Sequence, residues 1–350
     1  MRELEVHTTN GLVFLAVAEF DGKTYFSAWE HNGLFRLHKD GTTDFIMLFD
    51  KYGDVSPKHE FAVGLKDAIM FIPSSSENEI ALFTPKDNKI EYLKYPSPEK
   101  ECAFRPFWGY VKKDATTYLL PNSYDAVLAF DEDSKEFFRY ILPVGKDAFC
   151  EEKSVFIGGI TVDKAVYFCP WNSSEMISFD LETFEFEILG EVSKNTYRHI
   201  FYIDEKLYLI PRTLGLDTTV YDLREKIFWK KSMPSAVKGI CICSFADEEG
   251  NIYLIPNNEN VVWIWNPLSD TLDSADIKLI QNAPDSELCF NESRDLWGGK
   301  IISTDLETLS TLLFNGKELK TLDINKGRGL FLDILMSMVK NHDRCVIYEY

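Results

Sequence analysis

A pattern that returns seven times along 350 residues constrains this chain more than its composition does. The clearest copy is Arg105 to Asp131, RPFWGYVKKDATTYLLPNSYDAVLAFD. Phe107–Tyr110 is an apolar run, Asp114 sits in a turn, and Tyr118–Leu120 is a second run stopped by Pro121 and Asn122. Ala126–Phe130 is a third run, closed by Asp131, and Phe137–Leu142 is a fourth. Short aromatic and β-branched runs bounded by Asp, Asn, Pro and Ser are strand signals.

The turn Asp returns as Asp21, Asp67, Asp114, Asp163, Asp204, Asp247 and Asp295, at intervals of 46, 47, 49, 41, 43 and 48. The residue closing the third strand returns as Leu37, Phe83, Phe130, Phe179, Tyr221, Trp265 and Phe314, at intervals of 46, 47, 49, 42, 44 and 49. Two markers that drift together define one supersecondary unit copied seven times. Four strands in roughly 40–50 residues is the size of a propeller blade, and the missing helical period excludes helix-pair solenoids. The expected fold is all-β: one seven-bladed β-propeller of four-stranded antiparallel blades over residues 1–325. Its blades fall at about 12–49, 58–95, 105–142, 153–191, 196–233, 238–277 and 286–324.

Segments such as VLAFDEDSKEFFRYIL and MISFDLETFEFEIL resemble Kelch blades. The resemblance implies Kelch-like structure and no Kelch function. Where Kelch blades carry a glycine doublet after the second strand, this chain has Pro73, Pro121, Pro170, Pro211 and Pro256. A second strand has neighbours on both sides, so a proline within it would remove a ladder hydrogen bond; each is therefore expected at a strand's end. Residues 326–350 depart from the pattern. Leu330, Phe331, Ile334, Leu335, Met338 and Val339 share one face of a short C-terminal helix, followed by a strand-like RCVIYEY. Either this tail packs on the ring and helps close it, or it makes a homodimer or partner contact.

Lys plus Arg is 37 against 56 Asp plus Glu, a formal charge of −19. That balance repels nucleic acid and anionic membranes. The seven cysteines are odd in number, and several lie in apolar strands, which suits a reducing compartment. MRELEVHTTNG lacks the basic region and apolar segment of a signal peptide, and no apolar run is long enough to span a bilayer. A cytoplasmic protein is expected.

Antiparallel strands alternate direction, so the start of each first strand and the loop between second and third strands share one end of the blade. First strands line a propeller's channel, and residues just before them ring its mouth. Those positions hold Lys58, Arg105, Lys153, Lys194 and Lys238 in blades 2 to 6, with Arg198 four residues past Lys194; blades 1 and 7 offer Leu12 and Ser286. Basic residues are 37 of 350, so about one in seven such sites would be basic by composition. Five is an excess. Clustered cations focus potential on an opening, and Arg offers a bidentate fork to carboxylate or phosphate. The alternative is a set of solvated strand starts, each paired with an acid such as Glu60 or Glu152.

His59 and His199 also precede first strands, three blades apart. Facing each other across the opening they could act as general acid and base, or bind a metal with Glu60; otherwise they are ordinary surface residues. The loops at the same end add Trp29, His31, Asn122, Tyr124, Trp171, Arg212 and Asn257. Aromatics beside amides suit a sugar or peptide, although Trp29 and Trp171 could equally be loop packing. The turn aspartates lie at the opposite end, and local backbone bonding explains them without function. Cys241 and Cys243 form a CxC pair, a weak metal signal. No P-loop, HExxH, GxSxG or EF-hand motif is present, and no cofactor or metal is implied. The expectation is a non-catalytic module holding an anionic small molecule, glycan or acidic peptide at the channel mouth. An enzyme using His59 and His199, or a scaffold using the tail helix, are the alternatives.

Overall fold

The computed structural model describes residues 14–28, 33–37, 43–49, 59–74, 78–99, 105–144, 154–193, 196–256, 261–276, 310–315 and 318–323. The chain is a seven-bladed β-propeller. Seven antiparallel sheets follow one another along the sequence: five have four strands, one has five, and the described part of the seventh is the hairpin Ser310–Asn315 with Glu318–Asp323. The tail helix and the boundary at residue 325 lie outside the described residues.

Within each of the first six blades the strands pair in chain order, first to fourth. The first strands are Phe14–Phe20, His59–Gly64, Phe107–Lys113, Phe156–Val162, Tyr197–Ile203 and Gly239–Ala246, and each of the first five packs on the one that follows it. Burial falls outward. Second strands such as Ile69–Pro73 are buried throughout, whereas fourth strands such as Phe137–Ile141 and Ile227–Lys231 are half-buried or exposed. The core is therefore a set of slabs between blades, with blades 2 to 5 sharing the largest.

All five prolines stand last in their second strands. Each faces the start of the first strand: Pro73 with His59, Pro121 with Phe107, Pro170 with Phe156, Pro211 with Tyr197, Pro256 with Cys241. Immediately inside that pair the first strand carries one extra residue. The register shifts between His59 and Phe61, between Phe156 and Gly159, between Tyr197 and His199 and between Cys241 and Cys243; in blade 3 it shifts opposite Leu119 and Pro121. Blade 1 has the same bulge between Phe14 and Val17, opposite Ala28. The residue after the proline then reaches the next blade. Ser74 O accepts from Arg105 N at 3.0 Å, Asn122 O from Val155 N at 2.8 Å, and Arg212 O from Cys241 N at 2.6 Å.

The marker aspartates have a backbone cause. Asp21, Asp114, Asp163 and Asp204 lie at φ between 48° and 55°, the left-handed region where Asp and Asn are among the few side chains tolerated. Asp247 instead accepts from Glu249 N and Asn251 N, the local bonding expected of all of them.

Close approach of backbone, within a blade or between two, makes some glycines obligatory. A Cβ on Gly159 would lie 2.7 Å from Tyr167 O, and one on Gly64 2.7 Å from Glu19 O in blade 1. Alanine at either position is expected to lower unfolding free energy by about 1–3 kcal/mol through overpacking. Gly22, at φ +66° with nothing within 4 Å, should lose only about 1 kcal/mol on the same change. Denaturant midpoints measure both, and equal losses at Gly22 and Gly159 would sink the packing argument.

Candidate functional site at the channel mouth

A strand stacked between two neighbouring blades spends its alternating side chains on those neighbours. A bulge breaks the alternation and re-aims a side chain. In blade 3 the extra residue falls at Trp108–Gly109, with Gly109 at φ +97°, and in blade 5 it falls at Arg198. These two bulges bring their residues together. The Arg198 guanidinium lies 6.0 Å from the Trp108 ring centroid, and the Arg105 guanidinium lies 5.0 Å from the same ring. Blade 4 stands between blades 3 and 5 in the chain, so this meeting passes over an intervening blade. Side chains aimed along the channel can do that; side chains held between adjacent blades cannot.

All three residues are buried, with Arg105 7% and Arg198 and Trp108 5% exposed. Arg105 stands just before its strand at φ +48°, stitched on both sides by Ser74 O and by Ser123 N on its own carbonyl. Arg198 also makes itself felt at two buried thiols, Cys169 in blade 4 and Cys241 in blade 6. Burial raises both well above an ordinary thiol, Cys241 to about 11, and the nearby Arg198 charge offsets part of that rise. A second pair extends the mouth. Arg212, held by its carbonyl to Cys241 N, lies 5.2 Å over the Trp171 ring, joining blades 5 and 4. The short strand Thr213–Leu214 pairs with Gly239 and Ile240 and anchors the loop that carries Arg212.

The other expected residues divide. Lys238 is described and exposed at the start of blade 6. Lys58, Lys153, Lys194, Trp29, His31 and Asn257 lie outside the described residues. Asn122 is 1% exposed and committed to blade 4: its amide donates to Phe156 O at 2.6 Å and its oxygen accepts from Ser154 Oγ at 2.7 Å. Tyr124 is fully buried, its hydroxyl donating to Pro96 O at 2.6 Å and its ring packed on Phe107 at 4.9 Å. Both face inter-blade packing, because the loop after each proline turns outward to grip its neighbour.

The histidines are also held between blades. His59 is fully buried, its ring 4.1 Å from Phe49 and 5.5 Å from Phe71. His199 is 5% exposed, and its Nδ1 bonds Ser244 Oγ of blade 6. The rings thus occupy two separate interfaces rather than one shared opening, since each sits at a position that alternation directs to a neighbour. Among the described residues no group of three His, Cys, Asp or Glu could hold a metal. Trp108 was not among the expected site residues; its position within a bulge is not visible in a linear pattern.

No known family matches the chain, and no curated protein does. Solved structures do. Virginiamycin B lyase from Staphylococcus aureus superposes with a TM-score of 0.56 at 12% identity, over 78% of this chain and 86% of that one. A streptogramin B lyase gives 0.54 at 12%, over 76% and 83%. The extracellular domain of a one-component system from B. thetaiotaomicron gives 0.51 at 10%, over 75% of this chain and 33% of that one. At these identities the likeness is one of fold, the propeller. It does not extend to the Kelch class.

Cys241 generates a pH dependence. Its folded pKa of about 11 lies above the ordinary thiol value of 9.0, so the folded state keeps a proton that the unfolded state gives up. Its contribution is complete below about pH 9 and is lost as pH rises toward 11, roughly 2–3 kcal/mol in all. Stability measured across that window should fall less steeply in Cys241→Ala than in the wild type.

Proposed function

We propose that this protein is a binding module that holds an anionic ligand at the channel mouth through Arg105 and Arg198. The observation that carries the reading is the convergence of two guanidiniums from blades 3 and 5 on the Trp108 ring. Arg pairs well with carboxylate or phosphate in a bidentate manner, and burial strengthens such a pair. Arg212 and Trp171 supply a further cation and a flat apolar surface for the remainder of a ligand. Lys238, exposed on the rim, adds steering. The ligand is a small carboxylate or phosphate compound, an acidic glycan or an acidic peptide end. Lys58, Lys153 and Lys194 join the same rim in this reading. Its Kelch-like blades serve as scaffold only, in the cytoplasm.

A second reading makes the site catalytic. It is favoured by His199, which follows Arg198 directly and is bonded to the Ser244 hydroxyl, an acid–base residue next to a cation. Two of the similar folds are named lyases. His59, packed between two phenylalanines, would then have a structural part.

The test is calorimetric titration with citrate, comparing wild type with Arg105→Glu and Arg198→Gln. Each loss of a charge-assisted bond is expected to weaken binding by roughly ten- to hundredfold, about 1.5–3 kcal/mol. Unchanged citrate binding in both variants, with folding intact, would remove the channel mouth as the site.

A further inference from the structure

On the same end of the molecule, away from the channel, a lysine of blade 5 is held in an unusual way. Lys230 lies on the fourth strand and donates to Thr219 Oγ1 at 2.5 Å, Ser193 Oγ at 2.8 Å and Tyr197 OH at 3.4 Å. The hydroxyls also bond one another, Ser193 with Tyr197 at 2.7 Å and Tyr197 with Thr219 at 2.6 Å. Tyr197 is fully buried and Thr219 2% exposed, so the oxygens form a fixed floor beneath an exposed ammonium. Ser193 comes from the end of blade 4, and the cluster therefore closes the seam between two blades.

The proton count does not balance inside this cluster. An ammonium brings three protons and three hydroxyls bring three more. The five contacts above use five of the six. One O–H proton is left with no acceptor among the described residues, beside a positive charge that pairs there with no carboxylate. Blade 3 shows the balanced version. Phe137 faces Phe130 there as Phe228 faces Tyr221 in blade 5, and two residues further on stand Arg139 and Lys230. Arg139 has its acid, Asp125, at 2.7 Å. In blade 5 the floor of the site is made of hydroxyls, and no carboxylate among the described residues is ion-paired with Lys230.

We infer that Lys230, Ser193, Thr219 and Tyr197 form a second site, for a small oxyanion such as phosphate, sulfate or a phosphate monoester. One ligand oxygen accepts the leftover O–H and another takes the ammonium proton now given to Tyr197 OH, the longest of its three contacts at 3.4 Å, supplying the charge that Asp125 supplies in blade 3. This does not rest on the channel-mouth reading, since it shares no residue with it.

The experiment reads Lys230 itself. The intact protein is treated with an acetylating reagent in buffers of equal ionic strength containing either chloride or inorganic phosphate, and the rate at each lysine is followed by mass spectrometry. Phosphate at about twice its dissociation constant should slow modification of Lys230 by roughly threefold, through simple occupancy. Lys226, in the turn before the same strand and paired with Glu187, should respond no differently to the two salts. The protection should shrink in Ser193→Ala and Thr219→Val, and persist in Arg105→Glu, which separates this site from the channel mouth. Lys230 modified at the same rate in phosphate and in chloride overturns the proposal, as does protection that is equal at Lys226.

Discussion

The feature on which the rest depends is a one-residue bulge at the start of each of the six described inner strands, opposite the end of the second strand. A ring of sheets stacked face to face leaves no natural place for a side chain that looks down the channel, because both faces of every inner strand are covered. An extra residue disrupts the ladder locally and frees one side chain from that alternation. Proline opposite the bulge makes the disruption inexpensive. It has no N–H, so the ladder loses a donor that was never there. In the five blades that carry the proline, one local chemistry thus ends the second strand and admits the bulge in the first. At Ser74, Asn122 and Arg212 it also leaves a carbonyl to grip the next blade.

Those local causes are also why the architecture could be read from the residues. The spacing of Asp21, Asp114, Asp163 and Asp204 survives because a left-handed turn position tolerates few other side chains, and the prolines survive because only a strand's end accepts them. The loops between third and fourth strands follow the same logic. Asp131, Asp180 and Asp222 each accept backbone N–H bonds within the turn, which hold their carboxyls below the usual range. Four residues later Lys135, Phe184 and Lys226 take positive φ. Phe184 is a bulky residue for such a position, and its ring stacks on Tyr140 of blade 3 at 5.1 Å. Each of these turns is specified within a few residues, so the sequence reports it.

The site is specified across blades, and that is where linear reading loses its grip. Alternation correctly brings Arg105 and Arg198 to the starts of their strands. It does not say that a bulge turns Trp108 to meet both of them. It placed Asn122 and Tyr124 at the mouth, yet Asn122 is consumed by Phe156 O and Ser154, and Tyr124 by Pro96 O. His59 and His199 have the correct height but the wrong bearing. The Lys230 cluster joins residues separated by up to 37 positions, on a fourth strand that the repeat pattern treats as ordinary surface.

An acidic chain with cations at its centre discriminates by ligand size. Much of the outer charge is already tied up in exposed pairs on fourth strands and turns, such as Lys135 with Glu91, Lys226 with Glu187 and Lys231 with Asp270. Such pairs stabilise little, and they lie on the outer strands and turns, away from the mouth. Physiological salt screens exposed charges beyond about 8 Å, while buried pairs are screened much less. In the proposed reading a polyanion too broad for the mouth meets the acidic outer surface at close range and is repelled. In the same reading a small anion reaches Arg105 and Arg198 at the mouth, where both guanidiniums are largely buried. The net charge of −19 and a cationic mouth are therefore compatible. In that reading the two together disfavour nucleic acid and favour something small enough to pass between the blades' inner ends.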